Sequence, residues 1–298
     1  MCGIVGLFLK NDDLSDDLGR LLGGMLDVMS DRGPDSAGFA VYGAAEAGRR
    51  KLTLRGPAGT DFDAVAASLT AAGVTVGSVV RHDTHAVVTV PAGEAEAARE
   101  ALARLHPAIA VVGEGRRMEL YKEVGRPDAI VDRFGLPGMS GSHAIGHTRM
   151  ATESAVTTNG AHPFTTGLDQ CLVHNGSLSN HNRVRRELVR EGIRFETDND
   201  SEVAAGYLSL RLRQGMNLGE ALEASLSDLD GFFTFVVGTE SGFGVVRDPI
   251  ACKPAVMAET DDWVAFGSEY RALAGLPGIT GARLFEPEPA TVYFWERA

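Results

Sequence analysis

Apolar residues fall along the chain in two periods, and the changes between them predict its elements. Residues 4–9 form an uninterrupted apolar run, the pattern of a strand buried on both faces, directly behind the thiol of Cys2. Leu18, Leu21, Leu22, Met25 and Met29 then recur at helical spacing after Ser15, a helix-capping residue type, so a helix packed beside the opening strand is predicted. A turn rich in Gly, Pro and Asp, Arg32-Gly33-Pro34-Asp35-Ser36-Ala37-Gly38, leads into a strand over 39–42.

Residues 51–54, 74–81, 86–90 and 108–112 then read as strands, and 61–72 and 94–105 as helices, in the order βαββαβ of a split βαβ unit. This order stands between segments that belong to one sheet, so 45–140 is read as an inserted ferredoxin-like subdomain with a linker over 121–141, which carries Gly125, Pro127, Pro137 and Gly138. The unit is a ligand sensor, a docking surface or a packing module. The main domain, spanning 1–298 around it, resumes with a strand from 144 that ends in a polar turn near Thr152. A strand over 170–174 runs into Asn175-Gly176, a tight-turn signal. Helices follow around Val184 and Leu188, around Val203 and Tyr207 with Asp200 or Ser201 as N-cap, and around Leu218 and Leu222. Strands over 232–237, 244–246, 255–257, 264–266 and 291–294 complete the chain. Strands at both ends with helices between predict two sheets covered by helices on their outer faces.

The composition, 298 residues with 44% hydrophobic and 23% charged, is that of a globular chain. No apolar run approaches the roughly 20 residues of a membrane span, and no secretory leader is evident, so a cytoplasmic location away from membranes is expected. Cys2, Cys171 and Cys252 are too few and too scattered for a disulfide framework, and the last two are read as packing residues. A net charge of -12 argues against nucleic acid as a partner. His147, His162 and His174 fall in separate predicted turns without zinc-site spacing, so no metal is expected. Cys2 is either a buried thiol on a terminal strand or, once Met1 is removed, a residue whose own α-amine serves as base to its thiol.

The motifs decide between these. Cys2-Gly3-Ile4-Val5-Gly6, the Arg32 to Gly38 turn, Gly146-His147-Thr148-Arg149, His174-Asn175-Gly176 and Asp200-Ser201-Glu202 occur in that order, with Arg247-Asp248-Pro249 and Gly267-Ser268-Glu269 behind them. Taken singly, Arg149 is as consistent with a surface ion pair, Asp200 with a helix cap and Asn175-Gly176 with a hairpin. As an ordered set they resemble the class II glutamine amidotransferases, over the whole chain except the insertion. Met150-Ala151-Thr152-Glu153-Ser154-Ala155-Val156 and Arg247-Asp248-Pro249-Ile250-Ala251-Cys252-Lys253-Pro254 resemble most the amidotransferase-like subunits of glutamate synthase type, N-methylglutamate synthase above all.

The resemblance implies an α+β fold, the N-terminal-nucleophile four-layer αββα sandwich of antiparallel sheets. It implies Cys2 as nucleophile, Asn175 and Gly176 as oxyanion donors, Arg149 for the α-carboxylate of glutamine with Thr152 nearby, Asp200 for the α-ammonium, and Arg32 lining the pocket. No nucleotide fingerprint, P-loop or cysteine cluster is present, so no cofactor is expected in this chain. FMN and an iron–sulfur cluster are expected in partner synthase subunits, with glutamine or glutamate as the small ligand. The N-methylglutamate synthase reaction joins methylamine to glutamate and releases ammonia, with no evident need of glutamine. A catalytically silent subunit that binds substrate and assembles the complex is therefore the alternative.

Overall fold

The computed structural model describes residues 2–151 and 155–297. Along the chain run β1 (Gly3–Leu9), α1 (Leu18–Val28), β2 (Ser36–Tyr42), β3 (Arg49–Arg55), α2 (Phe62–Ala71), β4 (Val79–His82), β5 (His85–Pro91) and α3 (Ala95–Leu105). They are followed by β6 (Ala110–Gly115), β7 (Met118–Val124), α4 (Pro127–Arg133), β8 (His143–Arg149), β9 (Phe164–Gly167) and β10 (Gln170–Leu178). Three helices come next, α5 (His181–Arg190), α6 (Asp200–Arg213) and α7 (Leu218–Asp228). The last strands are β11 (Gly231–Gly238), β12 (Gly242–Arg247), β13 (Val256–Glu259), β14 (Trp263–Gly267), β15 (Arg283–Phe285) and β16 (Val292–Glu296).

The strands form a seven-stranded sheet, β15-β13-β14-β1-β8-β2-β7, a five-stranded sheet, β16-β12-β11-β10-β9, and a four-stranded sheet, β4-β5-β3-β6. The first two face each other across a core that includes Ile4, Phe8 and Ile145 on one side and Val173, Val236 and Phe243 on the other. Gly6 lets them approach, since a Cβ there would sit 2.7 Å from the Phe243 ring. Outside the seven-stranded sheet lie α1 and α4, through Leu22, Met25 and Ile130. Outside the five-stranded sheet lie α5, α6 and α7, whose Leu188, Leu208 and Leu222 share a core with Phe233, Phe235 and Val237. The layers are thus helix, sheet, sheet, helix, with antiparallel ladders throughout both sheets. Every residue of β1 is buried because strands flank it on both sides and cores cover both faces.

The expected linker over 121–141 is instead part of the main body. β7 pairs with β2 from Ser36↔Val124 to Tyr42↔Met118, and Leu120 and Tyr121 are fully buried. Pro127, which reads as a breaker, occupies the first turn of α4, where its missing N–H costs nothing. The four-stranded sheet accordingly spans 49–115, shorter than the predicted insertion of 45–140, with β3 and β5 in its centre and α2 and α3 packed on it.

Three local expectations also change. Asn175-Gly176 is no turn, because β10 continues to Leu178 with Gly176 opposite Phe233. The N-cap of α6 is Asn199, whose side chain accepts from the Ser201 N–H at 2.8 Å, which leaves Asp200 in the first helical turn. Cys171 is buried in the inter-sheet core, but Cys252 is exposed and packs nothing.

Candidate active site

Cys2 lies at the open end of β1, one step beyond the pair Gly3↔Thr148, so the antiparallel register puts it level with Arg149 at the end of β8. Two side chains converge on its carbonyl oxygen: Arg32 Nε donates at 3.1 Å and Asn175 Nδ2 lies 3.5 Å away. Arg32 Nη1 also pairs with Glu269 Oε1, and the second oxygen of Glu269 meets Arg271 Nε at 2.6 Å. The Arg32 hydrogen bond and charge hold the Glu269 carboxyl below its usual range, with Arg271 adding to the effect. One residue back, Ser268 accepts from the Ile4 N–H through Oγ and donates its own N–H to the Ile4 carbonyl, both at 2.9 Å. The start of β1 is therefore clamped from one side by the segment after β14 and from the other by Arg32 and Asn175.

Gly176 follows Asn175 with φ of +155°. A Cβ there would lie 2.0 Å from the Phe232 carbonyl oxygen, so only glycine permits this approach of β10 to β11. Asp200 Oδ2 accepts from the Leu178 N–H at 2.8 Å, which ties the first turn of α6 to the end of β10. Arg149 is buried; its Nη1 reaches the Ala155 carbonyl at 3.4 Å, and its own carbonyl accepts from the Asp35 N–H at 3.1 Å. Asp35 Oδ2 in turn accepts from the Ala151 N–H at 2.8 Å, so the Arg32 to Gly38 turn holds the end of β8. Cys2, Asn175, Gly176, Arg149 and Asp200 thus meet at one end of the two facing sheets. Thr152 lies outside the described residues.

Arg32 sits differently from a pocket-lining side chain. Its side-chain contacts among the described residues are the Cys2 carbonyl and Glu269, and its buried Nη2 has no hydrogen-bond partner among them.

The histidines expected in separate turns converge beneath Asp200. His147 and His162 stack with ring centroids 3.9 Å apart, and His147 Nε2 donates to the His174 carbonyl at 3.1 Å. Ser201 Oγ bridges His162 Nε2 at 3.0 Å and His174 Nδ1 at 2.8 Å. Burial pushes His147 down to about 3 and His162 well below its ordinary value. Burial also lowers His174, to about 4, against the opposing pull of Asp200. At neutral pH the floor beneath Asp200 is therefore polar and uncharged. Among the described residues no group of three or more His, Cys, Asp or Glu side chains is arranged to hold a metal ion.

Sequence reasoning gave no role to Glu269, Ser268 or these histidines and offered Ser201 only as a helix cap, although Gly267-Ser268-Glu269 and Asp200-Ser201-Glu202 were visible as motifs. Arg247-Asp248-Pro249 proves architectural. Arg247 donates to the carbonyls of Ala251, Lys253 and Pro287, and Asp248 accepts from the Phe233 and Ile250 N–H groups.

The profile of the glutamine amidotransferase domain matches residues 147–275. The glutamine amidotransferase-like protein GlxB of Rhizobium meliloti is 62% identical over 99% of this chain and 98% of its own length. The chain belongs to the class II glutamine amidotransferase family. A putative glutamine amidotransferase of Methanothermobacter thermautotrophicus is 33% identical over 98% of this chain and 99% of its own. Among solved structures, the glutamine phosphoribosylpyrophosphate amidotransferase of B. subtilis superposes with a TM-score of 0.62 at 20% identity. That likeness covers 99% of this chain, which spans 47% of that protein's length, and it establishes the amidotransferase fold of antiparallel sheets. No helix among the described residues of this amidotransferase is long and apolar enough to cross a membrane.

Proposed function

We propose that the chain is the glutaminase-type subunit of a glutamate-synthase-like enzyme of the N-methylglutamate synthase kind. The observation that carries this is the convergence on Cys2: Asn175 Nδ2 lies 3.5 Å from its carbonyl, Gly176 is next in the same strand, and Arg149 is level with it across the β1–β8 ladder. With Met1 removed, the α-amine of Cys2 takes the thiol proton through a water, and the thiolate attacks the side-chain amide carbon of glutamine. The oxyanion that forms accepts from Asn175 Nδ2 and the Gly176 N–H, donors that β10 holds in place before substrate arrives. Collapse expels ammonia, which carries off the proton, and leaves a thioester on Cys2 that water hydrolyses to glutamate. Arg149 takes the α-carboxylate by a bidentate pair, Thr152 is a further substrate-binding residue, and Asp200, anchored by the Leu178 N–H, takes the α-ammonium. The partner synthase subunits of the complex carry FMN and an iron–sulfur cluster.

The test is glutamate release from glutamine by the chain freed of Met1, as verified by intact mass, alone and with its synthase partners. Release abolished by Cys2→Ala is expected. Its absence under every condition would leave the chain a silent assembly subunit.

A further inference from the structure

A cavity of about 740 Å³ opens away from Cys2, between the 49–115 unit on one side and β9, β7 and the segment 192–197 on the other. Its volume is that of a small-molecule site. Lys122, on β7, is its buried cation: Nζ donates to the carbonyls of Asn159, Ala161 and Pro163 at 3.4, 3.0 and 3.3 Å and lies 4.7 Å over the Phe164 ring. These partners leave its charge unneutralised. The neighbouring carboxylates are already engaged. Glu202 accepts from the Glu196 and Thr197 N–H groups at 2.8 Å each and from the Thr197 hydroxyl at 2.6 Å. Glu114 pairs with Arg50 at 2.7 Å and Arg99 at 3.2 Å, and Arg99 also approaches Glu96 at 4.0 Å. Arg194 and Arg213 are exposed on the same lining, and Arg213 donates to the Glu191 carbonyl at 2.6 Å. Lys122, Arg194 and Arg213 thus face Glu196 as the lining carboxylate that has no side-chain partner among the described residues, and Ile193 and Phe195 add apolar wall.

We infer that this cleft is a second ligand site, for a small organic anion whose carboxylate or phosphate pairs with Arg194 and Arg213 in the field of the buried Lys122 ammonium while its apolar body lies on Ile193 and Phe195. Occupancy reaches the Cys2 site by two short routes. The carbonyls that hold Lys122 flank His162, whose ring holds Ser201 at 3.0 Å, and Glu202 on the cleft wall directly follows Ser201 and Asp200 in α6.

Calorimetry on the full chain with phenyl phosphate, 3-phenylpropanoate, inorganic phosphate and acetate separates the two anion types and the contribution of the apolar body. Saturable binding of at least one aryl anion is expected, tighter than its small counterpart. It should weaken at least tenfold in Arg194→Glu and in Arg213→Glu, whose exposed positions leave the fold intact, and be lost in Lys122→Met. With Cys252→Ser as background, the saturating anion should change the iodoacetamide alkylation rate of Cys2 at least threefold. No saturable heat at millimolar anion, or binding indifferent to both rim reversals, overturns the site. An unchanged alkylation rate overturns its coupling to Cys2.

Discussion

Replacing Arg32 by Ala separates two roles for one side chain. The family resemblance makes it a pocket residue, whereas its contacts make it a clamp on the backbone of Cys2, the proposed nucleophile. The Arg32 side chain is 9% exposed and Glu269 33%, and Glu269 keeps Arg271 at 2.6 Å after the change, so no charge is stranded in a dry interior. The stability cost is then that of the charged hydrogen bond to the Cys2 carbonyl and of a partly exposed ion pair, about 2–4 kcal/mol together. The catalytic cost is of the same order. Only the long 3.5 Å contact from Asn175 would still reach the Cys2 carbonyl from this side, and a nucleophile displaced by about 1 Å loses roughly 10²-fold in rate. Steady-state glutaminase kinetics should therefore show kcat falling by about two orders of magnitude with KM within a few-fold of wild type. Arg32→Lys should fall between, because one ammonium cannot hold the carbonyl and Glu269 with the fork geometry of a guanidinium. A KM raised tenfold or more with kcat unchanged would refute the clamp and return Arg32 to the substrate.

Asn175→Ala, which removes a single oxyanion donor, should lower kcat by about 10²–10³ while the thermal midpoint moves little. Gly176→Ala should destabilise the protein by about 2–5 kcal/mol, from a strained φ and overpacking, as denaturant unfolding would measure, because its Cβ would sit 2.0 Å from the Phe232 oxygen. Acid should weaken the fold through the buried histidines. Their folded values lie below the ordinary 6.5, at about 3 for His147 and about 4 for His174, so the unfolded chain binds protons first. Their contribution is full above about pH 6.5 and declines as pH falls toward those folded values. His147→Gln should flatten the fall of Tm with pH across that window.

Much of this architecture was legible because local patterns coincide with tertiary roles. The apolar run over 4–9 is continuous because β1 is covered on both faces, and α1 appears at helical spacing because its buried residues form one stripe. Pattern failed where a residue's local signal and its tertiary use diverge. Asn-Gly is a hairpin signal, yet Gly176 serves a close approach to β11 in mid-ladder. Pro127 starts a helix. Lys122 in the predicted linker is buried by carbonyls that lie some 40 positions further along the chain. His147, His162 and His174 come together only because β8, β10 and the segment before β9 meet against α6, which no spacing in the sequence encodes. Among the motifs, the type of residue near Cys2 was readable, but not that Glu269 would tether Arg32.

The opening strand depends on segments made long after it. β1 precedes both its neighbours along the chain, β8 at His143–Arg149 and β14 at Trp263–Gly267, and the Ile4 N–H donates to Ser268, 264 positions downstream. Domains generally fold as units, and long-range pairings form late. β1 therefore lacks one of its two flanks until β14 is made, and the Ser268 clamp on Ile4 closes only then. The setting of Cys2 thus doubles as a check that β14 has been made: a truncated chain lacking β14 keeps the thiol but not the Ser268 clamp on Ile4.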